Sequence, residues 1–191
     1  MKILMLGPYR KHMVDYLESS GDEIESYESP ISRESKLLPG VDFIISYGYR
    51  HIIKKDVLKM FPRRVINLHI SLLPWNRGTD PNLWSFLEDT PKGVTIHYID
   101  SGIDTGEILA QKEITFDANE TLRTSYDKLS YTIERLFKET WPEIRVSRQK
   151  SYAQPAGGTF HRKRDRTSVE QLLKYGWDTP VANLIGKTVR K

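Results

Sequence analysis

At 191 residues the chain is long enough to bury the core of one domain and too short for two full ones. It has no cysteine, which removes disulfides, thiolate catalysis and cysteine zinc sites, and none of its five histidines stands at a spacing suited to a catalytic metal. A net charge of +4, with 38% hydrophobic and 28% charged residues, places it with globular proteins in water; no apolar run nears the ~20 residues that span a bilayer, so a cytoplasmic protein with no membrane partner is expected.

Lys2–Gly7 is a strand that ends in Gly-Pro, and Met13, Tyr16 and Leu17 recur at helical spacing just after it. Neither a dinucleotide fingerprint nor a glycine-rich phosphate loop stands at that junction. Glu23–Tyr27 and Val41–Tyr47 read as further strands, and His51–Met60 as a surface helix stopped by Phe61-Pro62. A fourth strand follows from Val65, so strands and helices alternate in the way that builds a parallel sheet. Pro81 opens a helix to Glu88, with Leu83, Phe86 and Leu87 as its apolar face. Val94–Ile99 and Glu107–Ile114 are joined by a connection short enough for a hairpin, so the sheet is expected to finish with an antiparallel strand. The longest helix spans Asn119–Trp141 and is ended by Trp141-Pro142; its stripe needs the sheet or a second copy of the chain, a homodimer, to cover it. After residue 145 the chain is basic and irregular, with a last amphipathic piece over Ser168–Tyr175 that Ser168 caps. Residues 1–145 are thus read as an α/β core, and 146–191 as a short basic extension that packs on the core or on a partner subunit.

Polar residues intrude on this pattern at two places. In Val65-Ile66-Asn67-Leu68-His69-Ile70 the apolar residues mark a buried strand, and the period of two puts Asn67 and His69 on one face near its carboxyl end, where open α/β sheets handle ligands. In Ser101-Gly102-Ile103-Asp104-Thr105-Gly106 a carboxylate sits on a glycine-flanked turn. Asp104 either caps its own turn or reaches His69 and sets the orientation of the imidazole. An amide donor, an imidazole and a carboxylate together suit transfer of an acyl group to an amine.

Asn67-Leu68-His69-Ile70-Ser71-Leu72-Leu73-Pro74 with Arg77-Gly78, followed by Ile103-Asp104-Thr105-Gly106, resembles the signature of the folate-dependent formyltransferases. The resemblance covers roughly residues 1–145 and is thin before residue 40. It implies an α/β, Rossmann-like, mostly parallel sheet with flanking helices and an antiparallel terminal strand, and 10-formyltetrahydrofolate as formyl donor. It also implies that Asn67 donates a hydrogen bond to the oxyanion of the formyl group, that His69 acts as general base or as a second donor, and that Asp104 holds the imidazole. The folate is expected along Ser46–Arg50 and along the backbone from Ile99 to Asp104, which makes Tyr47, Ile99, Ile103 and Asp104 the cofactor residues, although Tyr47 also reads as core.

For the acceptor, Arg77 is expected to meet a phosphate or an acidic group. Asp80, where tRNA-directed members have small apolar residues, is expected to bind the amine or a hydroxyl of a sugar, with helix capping as its other reading. The missing phosphate loop argues against a ribonucleotide acceptor. About 45 residues beyond the core leave no room for a tRNA-gripping barrel. A nucleotide-linked amino sugar is therefore the expected substrate, with methionyl-tRNA or another small amine, and a catalytically retired RNA-binding relative, as the alternatives. The basic stretch His161-Arg162-Lys163-Arg164 is expected either to be solvated or to meet the diphosphate.

Overall fold

The structure, a computed structural model, describes residues 1–188. In chain order its elements are β1 (Lys2–Leu6), α1 (Lys11–Ser19), β2 (Glu23–Tyr27), β3 (Phe43–Ser46), α2 (Lys55–Met60), β4 (Val65–His69), β5 (Arg77–Gly78), α3 (Pro81–Leu87), β6 (Gly93–Tyr98), β7 (Ile108–Glu113), α4 (Leu122–Ile144) and β8 (Phe160–His161). Six strands form one sheet in the order β2-β1-β3-β4-β6-β7. The first four are parallel to one another, β6 runs antiparallel to β4, and β7 antiparallel to β6, as the short connection between them requires. The expected Rossmann-like sheet with an antiparallel end is the observed one.

Alternation along the strands separates the two faces. Ile3 and Met5 point with Phe43, Ile45, Ile66, Leu68, Val94 and Ile96 toward α1 and α4, where Met13, Leu17, Leu129, Ile133, Phe137 and Trp141 meet them. Leu4, Leu6, Ile44 and Val65 point the other way, onto Ile31, Leu38, Val57 and Phe61. A third cluster joins α3 to the C-terminal segment: Leu83, Trp84, Phe86 and Leu87 pack with Leu122, Val169, Val181 and Leu184. The segment after residue 150 lies on the core through this cluster and through the two-stranded pairing of β5 with β8.

Three expectations about elements are corrected. The helix expected from His51 begins only at Lys55: Ile53 is drawn into the core while Ile52 stays 75% exposed, so residues 51–54 form a loop and only Lys55–Met60 is helical. Pro142 does not end α4, which continues to Ile144. A proline has no N–H to give to the carbonyl four residues back, here that of Lys138, and the Tyr16 hydroxyl donates to that carbonyl instead, at 2.8 Å. The final amphipathic piece is a 3-10 helix over Lys163–Leu172; Ser168 lies inside it and bonds back to the Asp165 carbonyl rather than capping it. The α4 stripe is covered by the sheet, so it supplies no reason for a second copy of the chain. Among the described residues no helix is long and apolar enough to cross a membrane.

Phe137 is fully buried between Tyr16 and Trp141. Phe137→Ala is expected to cost about 3–5 kcal/mol of stability, read from the denaturant midpoint, because the sheet and α4 close only partly over the cavity.

Candidate active site

β4 and β6 together make the floor of the site. Their antiparallel register sets Asn67 opposite His97 and His69 opposite Thr95, so four polar side chains lie on adjoining strands next to an otherwise apolar core. Asn67 Nδ2 lies 3.3 Å from His97 Nε2 and donates to Asp104 Oδ1 at 3.2 Å. His97 Nδ1 is 2.8 Å from the Tyr98 carbonyl, which only accepts, so Nδ1 carries a proton, and Nε2 faces both Asn67 and, at 3.5 Å, Asp104 Oδ1. The same reasoning applies to His69: Nε2 faces the Asn76 carbonyl at 3.2 Å and donates to it, leaving Nδ1 toward Asp104 Oδ2 at 3.7 Å.

Asp104 comes to this floor from the turn between β6 and β7. Self-capping of that turn falls to Asp100, whose Oδ1 accepts from the Gly102 amide at 2.9 Å and from the Thr105 hydroxyl at 2.6 Å. Asp104 is thereby released to point inward. Its φ of +53° is in the left-handed region, and its Oδ2 accepts from the Gly78 amide at 2.8 Å. The turn folds tightly because Gly106 lies against the Tyr98 carbonyl, where any Cβ would come to 1.9 Å.

Burial alone would raise the pKa of Asp104. The neighbouring rings of His69 and His97 and the Gly78 amide outweigh it and hold the carboxyl well below the usual carboxylate range, so it is ionised at neutral pH. For His69 the order is reversed. Burial pushes its pKa down, assisted by His97, against the opposing pull of Asp104 and the Asn76 carbonyl, so the ring is neutral at neutral pH. A neutral imidazole beside a fixed carboxylate is ready to take a proton, and the imidazolium formed would face the carboxylate through Nδ1.

The loop after β4 is fastened by two polar hubs. Thr95 Oγ1 donates to the Ser71 carbonyl and accepts from the Leu73 amide and from Gln111 Nε2. Asn76, fully buried with φ +55°, accepts from the Thr90 hydroxyl and donates to Glu88 and Thr159, while its carbonyl receives His69.

The structure thus brings Asn67, His69 and Asp104 together. Arg77 borders them on the strand pairing of β5 with β8; its Nη2 donates to the Gly157 carbonyl, and its Nε is buried with no partner. Arg77, Ile103, Thr105 and Phe160 line a cleft of about 300 Å³. Ile103 is 45% exposed on its wall, and Ile99 is half-buried against the core cluster on the β3–α2 side of the sheet. Tyr47 lies elsewhere. It is buried in the core beneath α4, with the Arg10 guanidinium 3.9 Å above its ring, because its strand position points it to the α1–α4 face. Asp80 stands at the N-cap of α3 but its side chain makes no capping bond, and its carboxylate faces Arg166 at 3.7 Å.

His97, Thr95, Asn76 and Gln154 are site residues that sequence reasoning missed. The signal for the first two was available: Thr95 and His97 alternate on one face of an apolar strand, the pattern that marked Asn67 and His69. For Asn76 and Gln154 there was none, since Thr159, which holds Asn76, and the Asp104 turn, which Gln154 holds, lie 83 and about 50 residues away in the chain.

A family model described as formyl transferase matches residues 22–140, more than half of the chain. The chain belongs to the formyl transferase family. Within that family it is 39% identical over 111 residues to the bifunctional polymyxin resistance protein ArnA of Wigglesworthia glossinidia brevipalpis, a match over 58% of this chain and 17% of that much longer protein. Among solved structures it is similar to the formyltransferase PseJ from Anoxybacillus kamchatkensis, in complex with UDP-4,6-dideoxy-4-formamido-L-AltNAc and tetrahydrofolate. The TM-score is 0.96 and the identity 58%, over 98% of this chain and 99% of that one. The methionyl-tRNA formyltransferase from Clostridium thermocellum shares the fold, with a TM-score of 0.68 and 18% identity over 88% of this formyl transferase and 74% of that one.

The two shifts at the site have the same sign for stability. Both His69 and Asp104 bind protons less readily folded than unfolded, so each contributes stability above its ordinary value, 6.5 for His and 3.8 for Asp, and loses it as pH falls. Denaturant midpoints are therefore expected to fall below about pH 6.5 and again below about pH 4. In Asp104→Asn the second fall is expected to be smaller.

Proposed function

We propose that this formyl transferase moves the formyl group of 10-formyltetrahydrofolate to the amino group of a nucleotide-linked amino sugar, in the cytoplasm, for a surface glycan. The observation that carries the acceptor class is the 58% identity over nearly the whole of both chains to a protein solved with a formamido sugar nucleotide and tetrahydrofolate. The tRNA-directed relative, at 18% identity, shares the fold alone.

The donor fits the residues present. Exposed Ile103 offers an apolar wall and the turn from Ile99 to Asp104 offers main-chain groups beside it, which suits a flat ring with polar edges. When bound there, 10-formyltetrahydrofolate supplies an activated formyl group.

Asn67 then acts through Nδ2. Of its two hydrogens, one is held by Asp104 and the other is shared with His97; turning the latter to the formyl oxygen stabilises the negative charge that develops as the amine adds. His69 takes a proton from the attacking nitrogen at Nδ1, and Asp104 stabilises the resulting imidazolium. Protonation of the departing folate nitrogen completes the balance, and His69 is the group that holds a proton at that stage. Arg77, with a buried unpartnered N–H, is assigned to the acceptor's negative charge. Asp80 is placed at the acceptor's polar rim, restrained by Arg166.

The test is formylation of a panel of UDP-, dTDP- and GDP-linked amino sugars, with charged initiator tRNA alongside, by wild-type protein and by Asn67→Ala. Turnover is expected for an amino sugar nucleotide and not for tRNA. Asn67→Ala is expected to lower kcat by about 10²–10³ with a much smaller change in KM. Turnover of tRNA alone would overturn the acceptor.

A further inference from the structure

The stretch from Tyr152 to His161 reaches the site from the far end of the chain and touches both halves of it. Gln154 Nε2 places its two hydrogens on the Asp104 turn, donating to the Asp104 carbonyl at 2.8 Å and to the Gly106 carbonyl at 2.9 Å. Asp104 is thus held at both ends: Gln154 grips its main chain, while Asn67 and the Gly78 amide hold its carboxylate. A non-glycine residue does not keep a left-handed conformation unless its surroundings impose it, and Gln154 is the side chain on that backbone.

The second arm works on His69. Thr159 Oγ1 accepts from both the main-chain amide of Asn76, at 3.0 Å, and its Nδ2, at 3.3 Å; the Thr159 carbonyl accepts from the Arg77 amide at 3.0 Å. Asn76 in turn offers its carbonyl to His69 Nε2. Between the two arms Gly158 lies flat on the loop, where a Cβ would come to 2.0 Å from the Pro74 carbonyl.

We propose that Gln154 and Thr159 are positioning residues of the transfer reaction, Gln154 setting the Asp104 turn and Thr159 setting the Asn76 carbonyl that orients His69. This rests on the reading of His69 and Asp104 as transfer residues. Neither side chain has to touch a substrate for the effect. Without Gln154 two turn carbonyls lose their donors and the carboxylate shifts against Asn67 and His69; without the Thr159 oxygen the Asn76 main-chain amide loses its acceptor, its side-chain amide keeps only Glu88, and the acceptor of His69 moves. A displacement of about 1 Å at such a site costs about 10²-fold in rate while leaving binding largely intact.

Steady-state kinetics with 10-formyltetrahydrofolate and a UDP-linked 4-amino-4,6-dideoxy sugar test this on six forms of the full chain: wild type, Asp104→Asn, Gln154→Met, Gln154→Lys, Thr159→Val and Thr159→Ser. Near-ultraviolet circular dichroism and the thermal midpoint establish that each is folded. Gln154→Met and Thr159→Val are expected to lose about 10- to 100-fold in kcat, with both KM values within about threefold, and to move the acid limb of the kcat profile. Gln154→Lys keeps donors at that length and Thr159→Ser keeps the oxygen, so each is expected to recover most of the loss.

Folded Gln154→Met and Thr159→Val with kcat within about twofold of wild type, or a loss carried by KM, would overturn the proposal. If either fails to fold, Gln154→Asn, one methylene too short to span both carbonyls, and Thr159→Ala replace them with the same expectation. A fully active Asp104→Asn would overturn the underlying reading of the site, whereas an inactive Asp104→Asn beside a fully active Gln154→Met overturns the positioning role alone.

Discussion

The carboxylate of Asp104 is the constraint on which the site depends. It is almost wholly removed from water and remains ionised, a state that burial opposes by several kcal/mol unless hydrogen bonds and opposite charge replace the lost hydration. Here the replacements come from three separate parts of the chain: Asn67 on β4, the Gly78 amide on β5, and the rings of His69 and His97 on β4 and β6. Each hydrogen bond to a charged acceptor is worth about 1.5–3 kcal/mol, against about 1–3 kcal/mol for keeping Asp104 left-handed. Together these donors offset the backbone cost of the inward carboxylate. The position of Asp104 therefore reports on the whole assembly around it.

The sheet makes that convergence possible. Parallel β1, β3 and β4 bring their carboxyl ends to one edge, and the antiparallel β6 lays His97 directly across from Asn67 instead of at the far end of the sheet. Had β6 been another parallel strand, that cross-strand pair would be lost. The edge is then roofed by the C-terminal segment, which pairs β8 with β5 and packs Val169, Val181 and Leu184 against α3. What composition marks as a basic appendage is, in the folded chain, part of the wall of the site. His161, within the basic run, is stacked on Trp84 at 3.8 Å and faces Glu88, so at least this member of the run is not a solvated charge.

Much of this was legible beforehand for a simple reason. Period-two alternation is local, so Asn67 and His69 could be placed on one face of a strand without knowing its neighbours, and the apolar stripe of α4 could be traced to Trp141. Local rules failed where a distant group changed the local energetics. The break expected at Pro142 is absent because the Tyr16 hydroxyl, 122 residues from Lys138, satisfies the carbonyl that proline leaves open. Tyr47 reads from the sequence as a cofactor residue that is also suited to the core, and only the tertiary packing shows its side chain in the core beneath α4.

By itself the sequence determined the alternating α/β order, the mixed sheet, the absence of cysteine chemistry, and the residue types able to transfer an acyl group, because these follow from composition and short-range periodicity. Tertiary structure alone decided that Asp100 caps the turn and so releases Asp104. It also decided that His97 joins Asn67 through strand register, and that Gln154 and Thr159 reach the site from the end of the chain. These are contacts between residues up to 83 positions apart, and no local pattern encodes a hydrogen bond whose two partners are brought together only by the closing of the fold.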